Sequence, residues 1–207
     1  WAGVDPDNGK PLWYADELDA DDNPTGKRVT TSDYASADYY YVNKSSLPKV
    51  YGGFNTSLSW KGFDLSAIFA YSIGGYIYNR DITMILHNGS LEGRAWSTEI
   101  LRRWTPDNRY TDVPALSTTS NNWNSASTRF LQNNSYMRLK NLTLSYNLPK
   151  PWVSKLALSS VQVYVQGDNL FTIHKNQGLD PEQGITGITY YRYPAMRTIS
   201  GGINIAF

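Results

Sequence analysis

The chain has 207 residues, of which 41% are hydrophobic, 14% aromatic and only 18% charged, with 16 Tyr, 7 Trp and no Cys. The lack of Cys excludes a disulfide framework, thiolate zinc sites and a Cys nucleophile, and no run approaches the roughly 18 consecutive apolar residues of a membrane-crossing helix. The net charge of +1 conceals an acidic start, with nine acids against three bases in residues 1 to 38; the +7 excess over the remaining 169 residues is too thinly spread for a nucleic-acid site.

Trp1 stands first without an initiator Met and no charged-then-apolar leader follows, so a targeting segment is expected upstream or already removed. Residues 1 to 50, ahead of the first alternating segment, are expected as a loop. Within it, Asp19, Asp21 and Asn23 have the alternate spacing of a carboxylate calcium loop, but Pro24 stands where such a loop needs Gly and Thr30 where it needs its final Glu. A solvated acidic loop is the simpler reading and bound Ca2+ its rival; no other metal or cofactor is expected.

From residue 51 the chain alternates with period two. Gly52, Phe54, Thr56, Leu58 and Trp60 share one face, while Gly53, Asn55, Ser57 and Ser59 share the other. After Lys61 and Gly62, a tight turn, Phe63, Leu65, Ala67, Phe69, Tyr71 and Ile73 oppose Asp64, Ser66, Ile68, Ala70 and Ser72. Residues 51 to 79 are therefore expected as a hairpin, and residues 80 to 134 as a long loop. In residues 136 to 148, Leu142, Leu144, Tyr146 and Leu148 share a face but Met137 and Leu139 fall in the opposite phase. A bulge near Lys140 and Asn141 reconciles the halves, as does a strand that leaves the apolar layer there. Residues 161 to 173 set Val161, Val163, Val165, Phe171 and Ile173 against Gln162, Tyr164, Gln166 and Asp168, and residues 198 to 207 set Ile199, Gly201, Ile203, Ile205 and Phe207 against Thr198, Ser200, Gly202, Asn204 and Ala206. Residues 135 to 207 thus carry three further strands, and the fold class is all-β with about five antiparallel strands.

The connections alternate between short and long: two residues, about 55, about 12 and about 20. A soluble sandwich prefers short connections throughout, whereas an outer-membrane barrel has short turns at one rim and long loops at the other. Five strands in lipid would leave two open edges of unpaired backbone groups, at a cost of tens of kcal/mol in total, on the order of several per group. Membranous strands here are therefore expected to be the C-terminal portion of a longer chain.

The run Asn134-Ser-Tyr-Met-Arg-Leu-Lys-Asn-Leu-Thr-Leu-Ser-Tyr-Asn-Leu-Pro149 resembles a segment near the C-terminus of SusC/RagA-type TonB-dependent transporters. So do Ala2-Gly-Val-Asp-Pro-Asp-Asn-Gly9, Tyr51-Gly-Gly-Phe-Asn-Thr-Ser57, Lys61-Gly-Phe-Asp-Leu-Ser66, Gly167-Asp-Asn-Leu-Phe-Thr172, Gly178-Leu-Asp-Pro-Glu182 and residues 197 to 207, in family order over essentially the whole chain. The resemblance implies a 22-stranded transmembrane β-barrel with long extracellular loops, short periplasmic turns and a plug inside. This chain would supply the last five strands, and the plug would be absent from it, lying upstream. It implies import of an oligosaccharide or peptide across the Gram-negative outer membrane, energised by TonB-ExbB-ExbD through the missing N-terminal part, with a SusD-like lipoprotein as lid. Residues 61 and 62 and 149 to 160 would be periplasmic; 1 to 50, 80 to 134 and 174 to 193 would be extracellular. Ile203, Ile205 and Phe207 resemble the C-terminal signal read by the outer-membrane assembly machinery.

On this reading Asp64, Ser66, Gln162, Gln166, Asp168 and Asn204 face the lumen and the plug or its exit path. Tyr51, Trp60, Tyr71, Tyr76, Tyr78, Tyr146 and Trp152 suit aromatic girdles in outer-membrane lipid. In the long loop, Trp96, Trp104, Tyr110 and Trp123 with Asn121 and Asn122 offer ring faces and amides for a substrate; the rival is that these rings pack the loop against itself or the lid. Catalysis has little support: neither His87 nor His174 has a metal spacing, no Ser sits in a nucleophile elbow, and the loop acids Asp180 and Glu182 are a common kind of pair. The rival classes are a soluble all-β carbohydrate-binding module and an adhesion barrel without a plug.

Overall fold

The five alternating segments form five strands of one antiparallel sheet. The computed structural model describes every residue except Ser90, Glu92, residues 118 to 121, Gln183 and Tyr190, so Asn121 lies outside the described residues. In chain order the strands are β1 (Gly3–Val4), β2 (Pro11–Leu18), β3 (Pro24–Thr31), β4 (Val50–Trp60), β5 (Phe63–Ile73), β6 (Tyr76–Asn79), β7 (Leu131–Asn133), β8 (Tyr136–Asn147), β9 (Ser160–His174), β10 (Ile188–Thr189) and β11 (Thr198–Ala206). Two short helices, α1 (Arg80–Ile85) and α2 (Lys150–Val153), accompany them among the described residues, and no helix among these is long and apolar enough to cross a membrane. The chain divides into two units, one of Trp1–Asn43, Tyr78–Leu131 and Ile188–Tyr191, the other of Lys44–Ile77, Gln132–Gly187 and Arg192–Phe207.

The second unit holds the large sheet, in the order β11-β9-β8-β5-β4. Lys61 (φ 48°) and Gly62 (φ 89°) make the β4–β5 turn, both with the positive φ that a type I′ hairpin turn requires. Directly opposed residues share a face, so the register assembles Trp60, Phe63, Tyr146, Val163 and Ile203 into one apolar row across all five strands. Leu58, Leu65, Leu144 and Val165 form the next row. Cross-strand rings reinforce the rows, Phe54 stacking on Phe69 at 4.7 Å and Phe63 lying 4.4 Å from Tyr146. This face is uncovered: Leu58, Trp60, Ile73, Ile173 and Ile203 are each more than half exposed. At roughly 3.3 Å per residue and a tilt of about 45°, an 11-residue strand such as β4 spans about 25 Å, the height of the apolar band of a membrane barrel.

The expected bulge is present. Asn141 pairs with Ile68 but Leu139 pairs with the next residue, Phe69, so Lys140 is the extra residue of β8. Across β9 the step from Asp168 to Phe171 opposes Asn141 to Leu139, with Asn169 at φ 52°. The bulge brings Met137 and Leu139 onto the apolar face, opposite Tyr71 and Phe69. Tyr164 lies across Gly202, where a Cβ would stand 2.7 Å from its hydroxyl, so the cross-strand ring fills the place of the missing side chain.

Two expectations are corrected, and one connection gains detail. Residues 51 to 79 are not one hairpin: β5 ends at Ile73, Gly74 takes φ 91°, and β6 pairs in parallel with β10 through Tyr78 and Asn79. Residues 1 to 50 are not a plain loop, since β1, β2 and β3 form an antiparallel sheet in the first unit, with Trp13 and Ala15 buried on β2. Residues 149 to 160 fold into α2 and a 3-10 turn, Ser154–Leu156, anchored by buried Val153 and stopped by Ala157 at φ 57°. In the first unit, Leu86, Ile100, Val113 and Trp123 make a hydrophobic cluster with Ile82 against it.

Candidate functional site

The opposite face of the large sheet is polar, and the register gathers Asp64, Ser66, Gln162, Gln166, Asp168 and Asn204 on it. Their side chains are joined across the strands. Asp64 accepts from Ser59 Oγ and, at 2.7 Å, from Asn147 Nδ2; Asn147 Oδ1 accepts from Gln162 Nε2 at 3.1 Å, and Gln162 Oε1 from Asn204 Nδ2 at 3.1 Å. This row touches every strand of the sheet. Beyond it, Asp168 accepts from Asn141 Nδ2 at 2.8 Å and Gln166 Nε2 at 3.3 Å, while Asn141 accepts from Thr143 Oγ1 at 2.9 Å. Each carboxylate on this wall thus has two donors, which leaves a surface of oriented amides and hydroxyls.

Toward the far end of the same face the bulge sets Lys140 beside Arg138, whose side chain is only 4% exposed. Arg138 donates from Nε to Thr172 Oγ1 (2.8 Å), from Nη2 to Asp180 Oδ1 (2.7 Å) and from Nη1 to Glu182 Oε2 (2.5 Å). Lys140 Nζ donates to both oxygens of Glu182 at 2.8 Å. Two cations and two carboxylates therefore balance in a largely buried cluster. Burial of Asp180 would raise its pKa, but donation from the Ala195 amide (2.6 Å), Arg138 and the Glu182 amide (2.9 Å) outweighs it and holds the carboxyl below its ordinary value. Asp180 and Glu182, read in the sequence as a routine loop pair, are thus the feet of the β9–β11 connection. Both halves of the cluster were visible separately, as the bulge at Lys140 and the spacing of the acids, but nothing local joined them.

The connection also walls an open cavity of about 670 Å3, lined among others by Leu47, Tyr51, Tyr76, Tyr136, Pro181 and Ile185. Ser46 Oγ donates to Ile185 O (2.8 Å) and Asn134 Nδ2 to Pro181 O (2.9 Å), fixing this wall to the segments before β4 and β8. Among the described residues the lining holds no Asp, Glu, Lys or Arg. It suits neutral groups that offer apolar area and a few hydrogen bonds.

The aromatic loop site is largely taken apart. Trp123 is 1% exposed inside the hydrophobic cluster and presents no ring face to a ligand. Trp104 donates from Nε1 to Pro6 O (3.1 Å) and packs on Gly9, so it closes the first unit on itself. Trp96 meets the buried His87 edge-on, its Nε1 donating to His87 Nδ1 at 3.2 Å. Burial and nearby Arg94 push the His87 pKa down, so its ring serves as a neutral acceptor. Tyr110 remains exposed, as does Asn122 at φ 55°.

Asp19 Oδ1 accepts from the backbone amides of Asn23 (3.0 Å) and Asp21 (2.9 Å), which lower its pKa and close the β2–β3 turn. Among the described residues no group of three His, Asp or Glu is arranged to hold a metal ion. Ile203 and Ile205 lie on the exposed apolar face of β11, and Phe207 follows its end, largely exposed.

No family model matches the chain. TonB-dependent receptor P3 of Formosa agariphila is 34% identical over 206 residues, covering 92% of this chain and 20% of that protein. TonB-dependent receptor SusC of Bacteroides thetaiotaomicron is 28% identical over 205 residues, covering 97% and 18%. Among solved structures, the RagAB peptide importer in its closed-closed state matches all of this chain over 22% of its own, at 36% identity and TM-score 0.80. In the open-open state the figures are 100%, 21%, 35% and 0.81, so the likeness is indifferent to that change of state. The chain spans about a fifth of the length of these relatives, which are receptors and importers and not enzymes.

Proposed function

Given that the chain belongs to the SusC/RagA type of TonB-dependent receptor, we propose that it is the closing part of an outer-membrane barrel that imports a nutrient oligomer, with β4 and β11 pairing to strands of the same polypeptide outside this sequence. The observation that carries the reading is the two-faced sheet: an uncovered apolar face about 25 Å tall backed by a hydrogen-bonded polar face. A soluble carbohydrate-binding module would have to cover that apolar face or present it to water. In hydrocarbon, roughly ten backbone groups on each open edge would lack partners, which supports closure by further strands.

In the intact receptor the apolar rows meet lipid, while Asp64, Ser66, Gln162, Gln166, Asp168 and Asn204 line the lumen against the plug. The long segments lie outside the cell beneath a SusD-like lipoprotein, and TonB supplies the driving force through the upstream part. The neutral aromatic cavity is where this part of the wall touches cargo, which is an oligosaccharide or a peptide.

The test is fractionation of the source organism followed by uptake. The full-length receptor is expected in the outer-membrane fraction, needing detergent for extraction, and its deletion is expected to abolish proton-motive-force-dependent uptake of one pool among labelled oligosaccharides and peptides. A protein recovered in solution without detergent refutes the barrel. Unchanged uptake of every pool refutes the import role.

A further inference from the structure

At the end of the large sheet that carries the two-residue turn, three lysines stand beside an exposed apolar rim. Lys61 lies in the turn, its Nζ 4.9 Å from the centre of the Trp60 ring. Lys150 and Lys155 belong to the connection between β8 and β9. Hydrogen bonds hold these pieces at one end of the sheet: Asn147 N to Gly62 O (2.8 Å), Leu148 N to Val161 O (2.9 Å) and Ser159 N to Ala206 O (2.8 Å). Buried Val153 anchors the connection, while Trp152 and Leu156, four residues apart, are 62% and 70% exposed.

Among the described residues the charge at this end is left uncompensated. Among the described residues none of the three lysines pairs with a carboxylate. Residues 148 to 160 contain no Asp or Glu. Asp64, near in sequence to Lys61, lies on the polar face and is engaged by Ser59 and Asn147. Lys61 directly adjoins the last full apolar row, Trp60, Phe63, Tyr146, Val163 and Ile203.

Cations flanking amphipathic rings at the edge of a hydrocarbon-facing band have the chemistry of a phosphate headgroup layer: the rings and alkyl stems remain in the apolar boundary while the ammonium groups reach the phosphates. We propose that Lys61, Lys150 and Lys155, with Trp60 and Trp152, form a docking surface for anionic phospholipid headgroups of the periplasmic leaflet. The occupant follows from charge complementarity and from continuity with the lipid-facing rows; it rests on the reading of those rows as membrane-embedded. A headgroup layer attracts each nearby lysine with a free energy equivalent to about a fivefold gain in association at low salt.

The experiment uses the full-length receptor in nanodiscs of phosphatidylcholine with a minority of phosphatidylglycerol, and counts by native mass spectrometry the lipids of each kind that stay bound. Wild type is expected to retain phosphatidylglycerol in preference, and the preference is expected to fall at least tenfold in the combined variant Lys61→Gln, Lys150→Gln, Lys155→Gln. In wild type it is expected to collapse between low salt and about 1 M, where the screening length shrinks to about 3 Å; this arm stands even if the variant fails to assemble. Heat-modifiable migration of the receptor reports the barrel separately. Its absence in wild type overturns the membrane reading and the docking surface with it, whereas an assembled receptor without headgroup preference, or with one indifferent to salt and to the three substitutions, overturns the docking surface alone.

Discussion

Replacing Arg138 by Met in the full-length receptor keeps the length and apolar stem of the side chain and removes three hydrogen bonds, to Thr172, Asp180 and Glu182. Glu182 keeps Lys140, but Asp180, 8% exposed, is left as a buried carboxylate without its guanidinium partner, the Ala195 and Glu182 amides still donating to it. Breaking a buried pair from one side costs about 3 to 5 kcal/mol. Protonation limits the loss: a carboxyl returned to its ordinary value can be neutralised at pH 7 for about 4 kcal/mol. With two amide donors retained, about 3 kcal/mol is expected, concentrated on the β9–β11 connection and not on the sheet. That energy raises local opening more than a hundredfold, read as faster hydrogen exchange at the Glu182 and Ala195 amides while β8 and β9 stay protected. Adding Asp180→Asn removes the orphaned charge and is expected to restore at least half of the protection. Unchanged exchange at both amides in the single variant would show that the cluster does not hold the connection.

The sign of the Asp180 shift fixes a second outcome. A depressed carboxyl contributes stability that is present above its ordinary value of 3.8 and lost as pH falls through the lower folded value, so pepsin is expected to cut the connection only below about pH 4; release beginning above pH 5 would contradict the hydrogen bonding described. Trp123→Ala is expected to cost about 3 to 5 kcal/mol of local stability in residues 80 to 131, measured by hydrogen exchange, because it empties the centre of a cluster. Tyr110→Ala, at a 91% exposed position, is expected within about 0.5 kcal/mol of wild type, so any loss of uptake in that variant reports contact with cargo or lid. Gly62→Ala places a Cβ 3.0 Å from Asn147 O at φ 89° and is expected to cost at least about 1 kcal/mol, seen as a lower yield of heat-modifiable barrel; an unchanged yield would count against the turn geometry.

The five long strands were legible because each has one apolar and one polar face, and even the break in phase between Leu139 and Leu142 reported a real bulge. The small sheet of the first unit was not. Every residue of β3 but the last is exposed, and β3 carries Pro24 and Gly26, so no period marks it, while on β2 the alternation of Trp13 and Ala15 gives way at once to Asp16 and Glu17. The polar face was readable from parity alone. The charge cluster was not, since Arg138 meets its acids 42 and 44 residues away, across a connection whose course no local pattern dictates. The aromatic loop misled for the opposite reason: Trp123 has the composition of a recognition residue and the burial of a core residue, and only packing distinguishes the two.

The row from Ser59 through Asp64, Asn147 and Gln162 to Asn204 runs at right angles to the strands. In a closed cylinder that direction is the circumference, and a cylinder from which a plug is dragged is loaded by tension around its girth. Staves glide past one another unless something ties them sideways. The main-chain ladder provides one such tie, and across these five strands the linked amides at the turn end add a second, one arc of what would be the hoop of a cask.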